Sequence, residues 1–125
     1  MSTKKHILLV EDDEFLAELY ATKLNLEGFE VSLAADGEKG LRMIKEKKPD
    51  LVLLDIVLPK MDGFEILKKM KAGKNTKDIP VILLTNLSQK DEVKRGLGLG
   101  ANDYLIKAHF MPSEVIKKIK RIFGG

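Results

Sequence analysis

The sequence predicts an α/β fold, a doubly wound parallel sheet of five strands with helices on both faces. Short apolar segments typical of strands alternate five times with segments in which apolar residues recur at helical spacing, as expected for repeated strand–helix units. The segments 7–10, 51–54 and 81–84 are apolar throughout. Because both faces of a central parallel strand are covered, this pattern favours a sheet between two helical layers.

The first half of the chain contributes two strand–helix units. The first strand precedes a helix for which Gly28 is the predicted C-terminal stop. The apolar residues at helical spacing in that helix are Phe15, Leu16, Leu19 and Leu24. The segment 31–34 then alternates like an edge strand. Leu41 and Ile44 indicate a second helix, which closes before Pro49.

The second half contributes three more units. A helix that ends near Gly73 follows the strand at 51–54, and a capping box at 88–91 begins the helix after the strand at 81–84. A short strand at 104–106 leads to the last helix. The apolar positions are Phe64, Leu67 and Met70 in the first of these helices, Val93 and Leu97 in the second, and Val115, Ile116, Ile119, Ile122 and Phe123 in the third.

The composition indicates one domain, residues 1–125, with no membrane segment, signal peptide or second domain expected. A chain of 125 residues with 44% hydrophobic and 33% charged residues can bury a core and is neither disordered nor membranous. The absence of cysteine fits a reducing compartment, and we expect a cytoplasmic protein. The net charge of +3 comes from lysines spread along the chain, so we expect no direct contact with nucleic acid. A basic cluster is interpreted as the outer face of the last helix: Lys117, Lys118, Lys120 and Arg121.

Carboxylates follow two of the apolar strands. Glu11, Asp12 and Asp13 come directly after the first strand, and Asp55 ends the run at 51–54. The carboxyl ends of parallel strands meet at one edge of the sheet, where open α/β sheets bind ligands. Clustered carboxylates raise each other's pKa or recruit a divalent ion, and hard oxygen ligands favour Mg²⁺. We therefore expect a magnesium site, and we leave Asp13 out of it as the N-cap of the first helix.

Hydrogen-bond donors follow two further strands at the same edge. Thr85 brings a hydroxyl after the strand at 81–84, and Lys107 brings an ammonium after the strand at 104–106. Both groups are suited to phosphoryl oxygens. His6 and His109 are the only histidines, lie far apart in sequence and are assigned no role.

Taken together, these residues resemble the receiver domains of two-component response regulators. The matching residues are Glu11, Asp12, the segment 55–59, Asp62, Gly63, Thr85 and Lys107. The resemblance covers the whole chain and implies a flavodoxin-like three-layer sandwich with strand order 2-1-3-4-5. Asp62 and Gly63 are interpreted as a turn and helix start, with the glycine relieving backbone strain.

The resemblance implies that Asp55 accepts a phosphoryl group from the phosphohistidine of a sensor histidine kinase or phosphotransfer protein. The chain would then be a phosphoprotein that changes its surface for a downstream protein target. It would not be a conventional enzyme, although it would catalyse its own phosphotransfer and slow autodephosphorylation. Mg²⁺ would be held by Glu11, Asp12, Asp55 and the main-chain carbonyl of Val57, with Glu11 acting directly or through water.

The resemblance also implies how the signal is transmitted. Lys107 would pair with one phosphoryl oxygen, and Thr85 would bond another after Asp55 is modified. Tyr104 would then turn from an exposed to a buried position. This exchange would alter the surface that a downstream protein recognises.

Two residues depart from the family pattern. Ala108 stands where the family usually has proline, and we predict a trans Lys107–Ala108 bond because a cis bond to a non-proline residue costs about 2.5–4 kcal/mol. Asn86 stands where the family generally has a small residue. The larger amide is expected to narrow access to the phosphoryl group.

Two other functions remain as alternatives. A receiver-like scaffold would bind a partner without being phosphorylated, and it is disfavoured because no key residue is missing. A Mg²⁺-dependent phosphatase with an aspartate nucleophile requires a second aspartate two residues later, where this chain has Val57.

Overall fold

A computed structural model describes residues 4–85, 90–107 and 112–124. The elements in chain order are β1 (His6–Val10), α1 (Glu14–Leu26), β2 (Glu30–Ala34), α2 (Gly37–Lys47), β3 (Leu51–Asp55), α3 (Gly63–Ala72), β4 (Val81–Thr85), α4 (Lys90–Gly98), β5 (Asp103–Ile106) and α5 (Pro112–Ile122). Three predictions lie wholly or partly outside the described residues: the capping box at 88–91, the effect of Asn86 and the geometry of the Lys107–Ala108 bond.

The five strands form one parallel sheet in the order β2-β1-β3-β4-β5. This confirms the predicted doubly wound fold and its 2-1-3-4-5 order. In the register, Val10 of β1 lies beside Leu54 of β3, and Thr85 of β4 lies beside Ile106 of β5. The residues that follow these strands are therefore brought to the same edge of the sheet.

The sheet separates two apolar clusters, one on each face. In β1, Ile7 and Leu9 belong to the cluster beneath α1 and α5, whereas Leu8 and Val10 belong to the cluster beneath α2 and α3. All four side chains are at most 1% exposed. Burial on both faces explains why this strand is apolar throughout, since alternate side chains enter different layers.

The helix boundaries follow local signals in the sequence. Asp13, Asp36 and Asp62 cap α1, α2 and α3, and each carboxylate accepts a hydrogen bond from a backbone N–H three residues later, at 3.1, 2.8 and 2.9 Å respectively. Each such cap stabilises its helix by about 1 kcal/mol. The predicted stops are confirmed, because α1 ends just before Gly28, α2 before Pro49 and α3 before Gly73. None of the described helices is long and apolar enough to cross a bilayer.

Two residues predicted to mark buried helix faces are exposed. Phe15, in the first turn of α1, is 77% exposed, and the buried positions are Ala17, Tyr20 and Leu24. Leu97 of α4 is 41% exposed. The residue of α4 that is buried is Gly96, and the absence of a side chain there allows the helix to pack close to β4.

The edge position of β2 is confirmed, but its predicted alternation of buried and exposed side chains is not. Val31 and Ser32 are both partly buried, and Leu33 is 37% exposed. Ser32 instead pairs with the neighbouring strand, because its hydroxyl lies 2.8 Å from Nε2 of His6 in β1. This polar contact explains why a serine occupies a half-buried position.

Candidate functional site

Three carboxylates meet at the carboxyl edge of the sheet. Glu11 and Asp12 follow β1, Asp55 ends β3, and the pairing of Val10 with Leu54 places these strand ends side by side. One oxygen from each carboxylate can be chosen so that all three lie within 4.8 Å of one another. Glu11 is 2% and Asp55 4% exposed, whereas Asp12 faces solvent. The predicted acidic cluster is therefore formed, with two members buried and one open to a ligand.

Lys107 inserts its ammonium between the two buried carboxylates. Its Nζ lies 2.8 Å from Oε1 of Glu11 and 2.7 Å from Oδ2 of Asp55, and its side chain is 18% exposed. Lys107 directly follows β5, which is separated from β3 by β4, so only a long side chain can reach these carboxylates. It provides the cation that makes burial of two like charges tolerable.

Burial governs the protonation of this cluster. Burial, with a smaller contribution from the charge of Asp55, raises the pKa of Glu11 to about 7, although the hydrogen bonds from Lys107 and from the Asp13 N–H and the charge of Lys107 act to lower it. Burial lowers the pKa of Lys107, but its hydrogen bonds to Asp55 and Glu11 and their charges more than offset this, and the net shift is upward. One ammonium does not fully compensate the carboxylates. The cluster can accommodate further positive charge.

The donor set fits a small, hard divalent cation. Three carboxylates supply only oxygen ligands, and Mg²⁺ is typically held by one or two carboxylates while keeping several waters. The exposed Asp12 leaves a side open for those waters and for a substrate. Glu11, Asp12 and Asp55 are therefore chemically suited to hold Mg²⁺.

Thr85 and Tyr104 lie on the strands next to the cluster. Thr85 ends β4 and is 2% exposed, between the strands that carry Asp55 and Lys107. Tyr104 of β5 is 36% exposed, and Nζ of Lys118 lies 5.6 Å from the centroid of its ring. Tyr104 is thus exposed, as expected from the sequence.

The loop after β3 is folded tightly against the end of that strand. The N–H of Val57 donates to Oδ1 of Asp55 at 3.3 Å, and the N–H of Gly63 donates to the carbonyl of Ile56 at 2.8 Å. A Cβ atom on Gly63 would overlap the main-chain carbonyl of Asp55 and lie 2.9 Å from Cα of Ile56. Gly63 does not have a positive φ, so the prediction that it relieves backbone strain was wrong. Gly63 instead allows the start of α3 to lie close to the main chain of Asp55 and Ile56.

Sequence reasoning missed one residue beneath the cluster. Tyr20 of α1 is 1% exposed, and burial together with the charges of Glu11 and Asp55 raises the pKa of its hydroxyl. It therefore stays neutral and able to donate. The available signal was its position three residues after Ala17 on the buried face of α1, where a purely apolar residue is the usual choice.

Comparison with known proteins identifies the family. The family model described as "Response regulator receiver domain" matches residues 7–120. The chain belongs to this family of receiver domains. Receiver domains are modules of response regulators in two-component systems, and they generally bind Mg²⁺ at an acidic site.

Curated relatives of this receiver domain include transcriptional regulators. It is 36% identical over 116 residues to the DNA-binding dual master transcriptional regulator RpaA of Synechocystis sp., covering 93% of this chain and 48% of that protein. It is 39% identical over 118 residues to the alkaline phosphatase synthesis transcriptional regulatory protein PhoP of Bacillus subtilis, covering 94% of this chain and 48% of that protein. The chain thus spans about half the length of these relatives.

Solved structures of receiver domains have the same fold. A putative response regulator from Chloroflexus aurantiacus is 34% identical with a TM-score of 0.92, and the match covers 98% of this chain and all (100%) of that one. The receiver domain of the sensor histidine kinase PA1611 from Pseudomonas aeruginosa is 31% identical with a TM-score of 0.89, covering 98% and 100%. That structure is described with a magnesium ion coordinated in the active-site cleft.

Proposed function

We propose that this receiver domain is a phosphorylation-activated signalling switch and that Asp55 is the phosphoacceptor. The observation that carries the proposal is the position of Asp55 at the end of β3, among two further carboxylates and an ammonium. A carboxylate oxygen attacks the phosphorus of a phosphohistidine as the phosphorus–nitrogen bond breaks. The imidazole keeps the electron pair, and Asp55 becomes an acyl phosphate, which water later hydrolyses slowly.

In this proposal Glu11, Asp12, Asp55 and the main-chain carbonyl of Val57 hold Mg²⁺. Mg²⁺ held there would neutralise the charge of the carboxylates and of the incoming phosphoryl oxygens, so that two anions could approach each other. The burial of Glu11 and Asp55 supports this assignment, because a nearby cation keeps buried carboxylates ionised.

Lys107 and Thr85 respond to the new phosphoryl group. Lys107 gives up its contact with Oδ2 of Asp55 and pairs with a phosphoryl oxygen, while the Thr85 hydroxyl bonds a second one. Tyr104 then turns inward from its present half-exposed position. The outcome is a changed surface at β5 and the helices beside it, which a downstream protein recognises.

The proposed phosphodonor is a sensor histidine kinase or a phosphotransfer protein in the cytoplasm. Two exposed apolar side chains support a protein partner at this edge of the sheet. Phe15, three residues after Asp12, is 77% exposed, and Val57, two residues after Asp55, is 60% exposed. A donor that covers both would exclude water from the phosphorus during transfer. In this proposal residues 1–125 form a single receiver domain.

The experiment that tests the proposal is intact-mass spectrometry after incubation with Mg²⁺ and acetyl phosphate. The parent chain should gain one phosphoryl group, and Asp55→Asn should gain none while remaining folded, because the amide is nearly isosteric but a poor nucleophile. Asp50→Asn is the matched control, since Asp50 lies at the opposite end of the sheet and accepts a bond from the His6 N–H that an amide oxygen can also accept. Labelling of Asp55→Asn at the parent rate would place the acceptor elsewhere, and no labelling of the parent would favour the scaffold.

A further inference from the structure

The loop between β3 and α3, residues 56–62, is joined at its middle to the first turn of α2. The N–H of Gly37 donates to the carbonyl of Pro59 at 3.1 Å, and the N–H of Met61 donates to the same carbonyl at 2.8 Å. This contact connects residues that are more than twenty positions apart. It holds the loop that carries Val57, and we refer to it as the Gly37 contact.

Gly37 is what allows the helix and the loop to approach each other. It is buried, and a Cβ atom added there would overlap the main-chain carbonyl of Met61 and lie 2.8 Å from Cβ of Met61. Two of these three atoms are backbone and the third, Cβ of Met61, is bonded directly to it, so none can swing aside as the end of a flexible side chain can. Any larger residue at position 37 must therefore push the loop away from α2.

An ion pair accompanies this contact but does not explain it. Nζ of Lys60 lies 3.8 Å from Oδ2 of Asp36, and the Lys60 side chain is 59% exposed. Exposed pairs of this kind contribute little because water screens them. The Gly37 contact thus depends mainly on backbone packing and the bond to Pro59.

The same loop is fixed at both of its ends as well. At the end of the loop, the N–H of Gly63 donates a hydrogen bond to the carbonyl of Ile56. At its start, the N–H of Val57 donates to the carboxylate of Asp55. Val57 therefore lies on a short stretch between two points of attachment, at Asp55 and at Pro59. A carbonyl on such a stretch is ordered before a ligand arrives, so binding does not have to restrict the chain.

We propose that Gly37 is a positioning residue for the metal site, which acts by holding the β3–α3 loop in place for the Val57 carbonyl. The inference rests on the proposed function, in which that carbonyl is a magnesium ligand. Loss of the Gly37 contact should weaken Mg²⁺ binding, as losses of groups that orient metal ligands typically do by about 10- to 100-fold. Because coupling between two equilibria is reciprocal, bound Mg²⁺ should in turn strengthen the Gly37 contact.

The test compares Gly37→Ala with Gly40→Ala, a matched control in the same helix. A Cβ on Gly40 would lie 2.9 Å from a methyl of Val10, so this variant crowds the core without touching the loop. Urea unfolding measures stability, and NMR titration with MgCl₂ measures affinity in the folded protein. Both variants should lose stability, and only Gly37→Ala should bind Mg²⁺ about tenfold or more weakly. Equal Mg²⁺ affinity in the two variants would overturn the inference.

A measurement on the parent chain decides the matter if Gly37→Ala does not fold. Saturating Mg²⁺ should slow hydrogen exchange of the Gly37 amide severalfold more than that of the Lys39 amide, which is bonded to the Asp36 side chain in the same turn. Equal changes at the two amides would refute a link between Gly37 and the metal. If the parent chain binds no Mg²⁺ at all, the magnesium part of the proposed function fails together with this inference. A parent that binds Mg²⁺ without any difference at Gly37 refutes the inference alone.

Discussion

Replacing Lys107 with methionine should destabilise the metal-free protein in a pH-dependent manner. The substitution removes the ammonium 2.7–2.8 Å from two carboxylates whose side chains are 0% and 6% exposed, while keeping most of the volume of the side chain. Removing one partner of a buried ion pair typically costs about 3–5 kcal/mol. Glu11 can reduce this cost by taking up a proton, because its pKa is already raised to about 7 and the substitution deletes a hydrogen bond that lowers it.

The sign of the pH dependence follows from Glu11. Its pKa in the folded protein lies above its ordinary value of 4.5, so the folded state binds more protons than the unfolded state in that window. Stability therefore falls as pH rises from about 4.5 to about 7. In the variant the pKa of Glu11 is higher, so the fall continues to a higher pH. Below about pH 7 Glu11 is protonated in both proteins, so the difference in stability between them grows only above that pH, by at most about 1.4 kcal/mol per pH unit. We therefore expect the loss in Lys107→Met to be about 1 kcal/mol larger at pH 8 than at pH 5.

Urea unfolding at pH 5, 7 and 8, with and without an excess of MgCl₂, measures this loss. Lys118→Met is the control, because Lys118 pairs with the single carboxylate of Asp103 and both side chains are about a quarter exposed, at 26% and 22%. The control should lose less than about 1 kcal/mol at every pH. Mg²⁺ should restore part of the stability of Lys107→Met by supplying the missing positive charge. A loss in Lys107→Met that is the same at pH 5 and pH 8 would refute the electrostatic reasoning.

Three further predictions concern packing, the metal and the switch. In α4, Gly96→Ala should destabilise the protein by about 1–3 kcal/mol, because a Cβ atom there would overlap the side chain of Leu83 in β4. A Cβ atom on Gly98 would have no neighbour within 4 Å, so Gly98→Ala should stabilise the protein by about 0.5–1 kcal/mol. Urea unfolding of the two variants measures both effects. Asp12→Ala should weaken Mg²⁺ binding most, by more than about tenfold, because it removes both a ligand and a negative charge; calorimetry measures the affinity, and an unchanged affinity would remove Asp12 from the metal site. Thr85→Ala should still be phosphorylated on Asp55 but should lose the accompanying NMR shift of Tyr104; an equally large shift would show that the hydroxyl does not carry the signal.

The central strands and the acidic cluster were predictable because their signals are local. In β1 the apolar run Ile7–Val10 is broken by Glu11, and parallel pairing with β3 then fixes where the carboxylates meet. The same rule placed Thr85 and Lys107 at that edge. Strand ends are reliable markers in a parallel sheet, because only one register buries every apolar residue of a run.

The remaining features depend on contacts that no local pattern contains. Phe15 has the spacing of a buried residue, but it lies in the first turn of α1, before the helix face that meets the sheet. Gly37 and Gly96 look like helix-weakening residues in sequence, and only the atoms of Met61 and Leu83 reveal why a side chain is excluded. Such steric requirements come from tertiary packing, which propensity does not describe.

The charge of the cluster limits how the switch can work. Three carboxylates and one ammonium leave a net charge of −2 when all are ionised, which one Mg²⁺ balances. In the proposed switch a phosphoryl group adds negative charge again, and Lys107 and Thr85 would be the donors that respond. Nζ of Lys107 already lies 2.7 Å from a carboxylate oxygen of Asp55. Exchanging that oxygen for a phosphoryl oxygen would therefore gain less free energy than forming a new hydrogen bond.

Because Lys107 only exchanges one partner for another, Thr85 and Tyr104 would have to supply much of the free energy of switching. Converting a mostly inactive population to a mostly active one requires about 5.5 kcal/mol. A charge-assisted bond from Thr85 contributes about 1.5–3 kcal/mol, which falls short alone. In the proposed switch the remaining energy would come from Lys107 together with the burial of the Tyr104 ring, now 36% exposed. Tyr104→Ala should therefore leave phosphorylation intact yet give a smaller population shift than the parent chain, measured as NMR shifts of Ile116 in α5. A full shift in that variant would show that the energy of switching comes from the two bonds to the phosphoryl group.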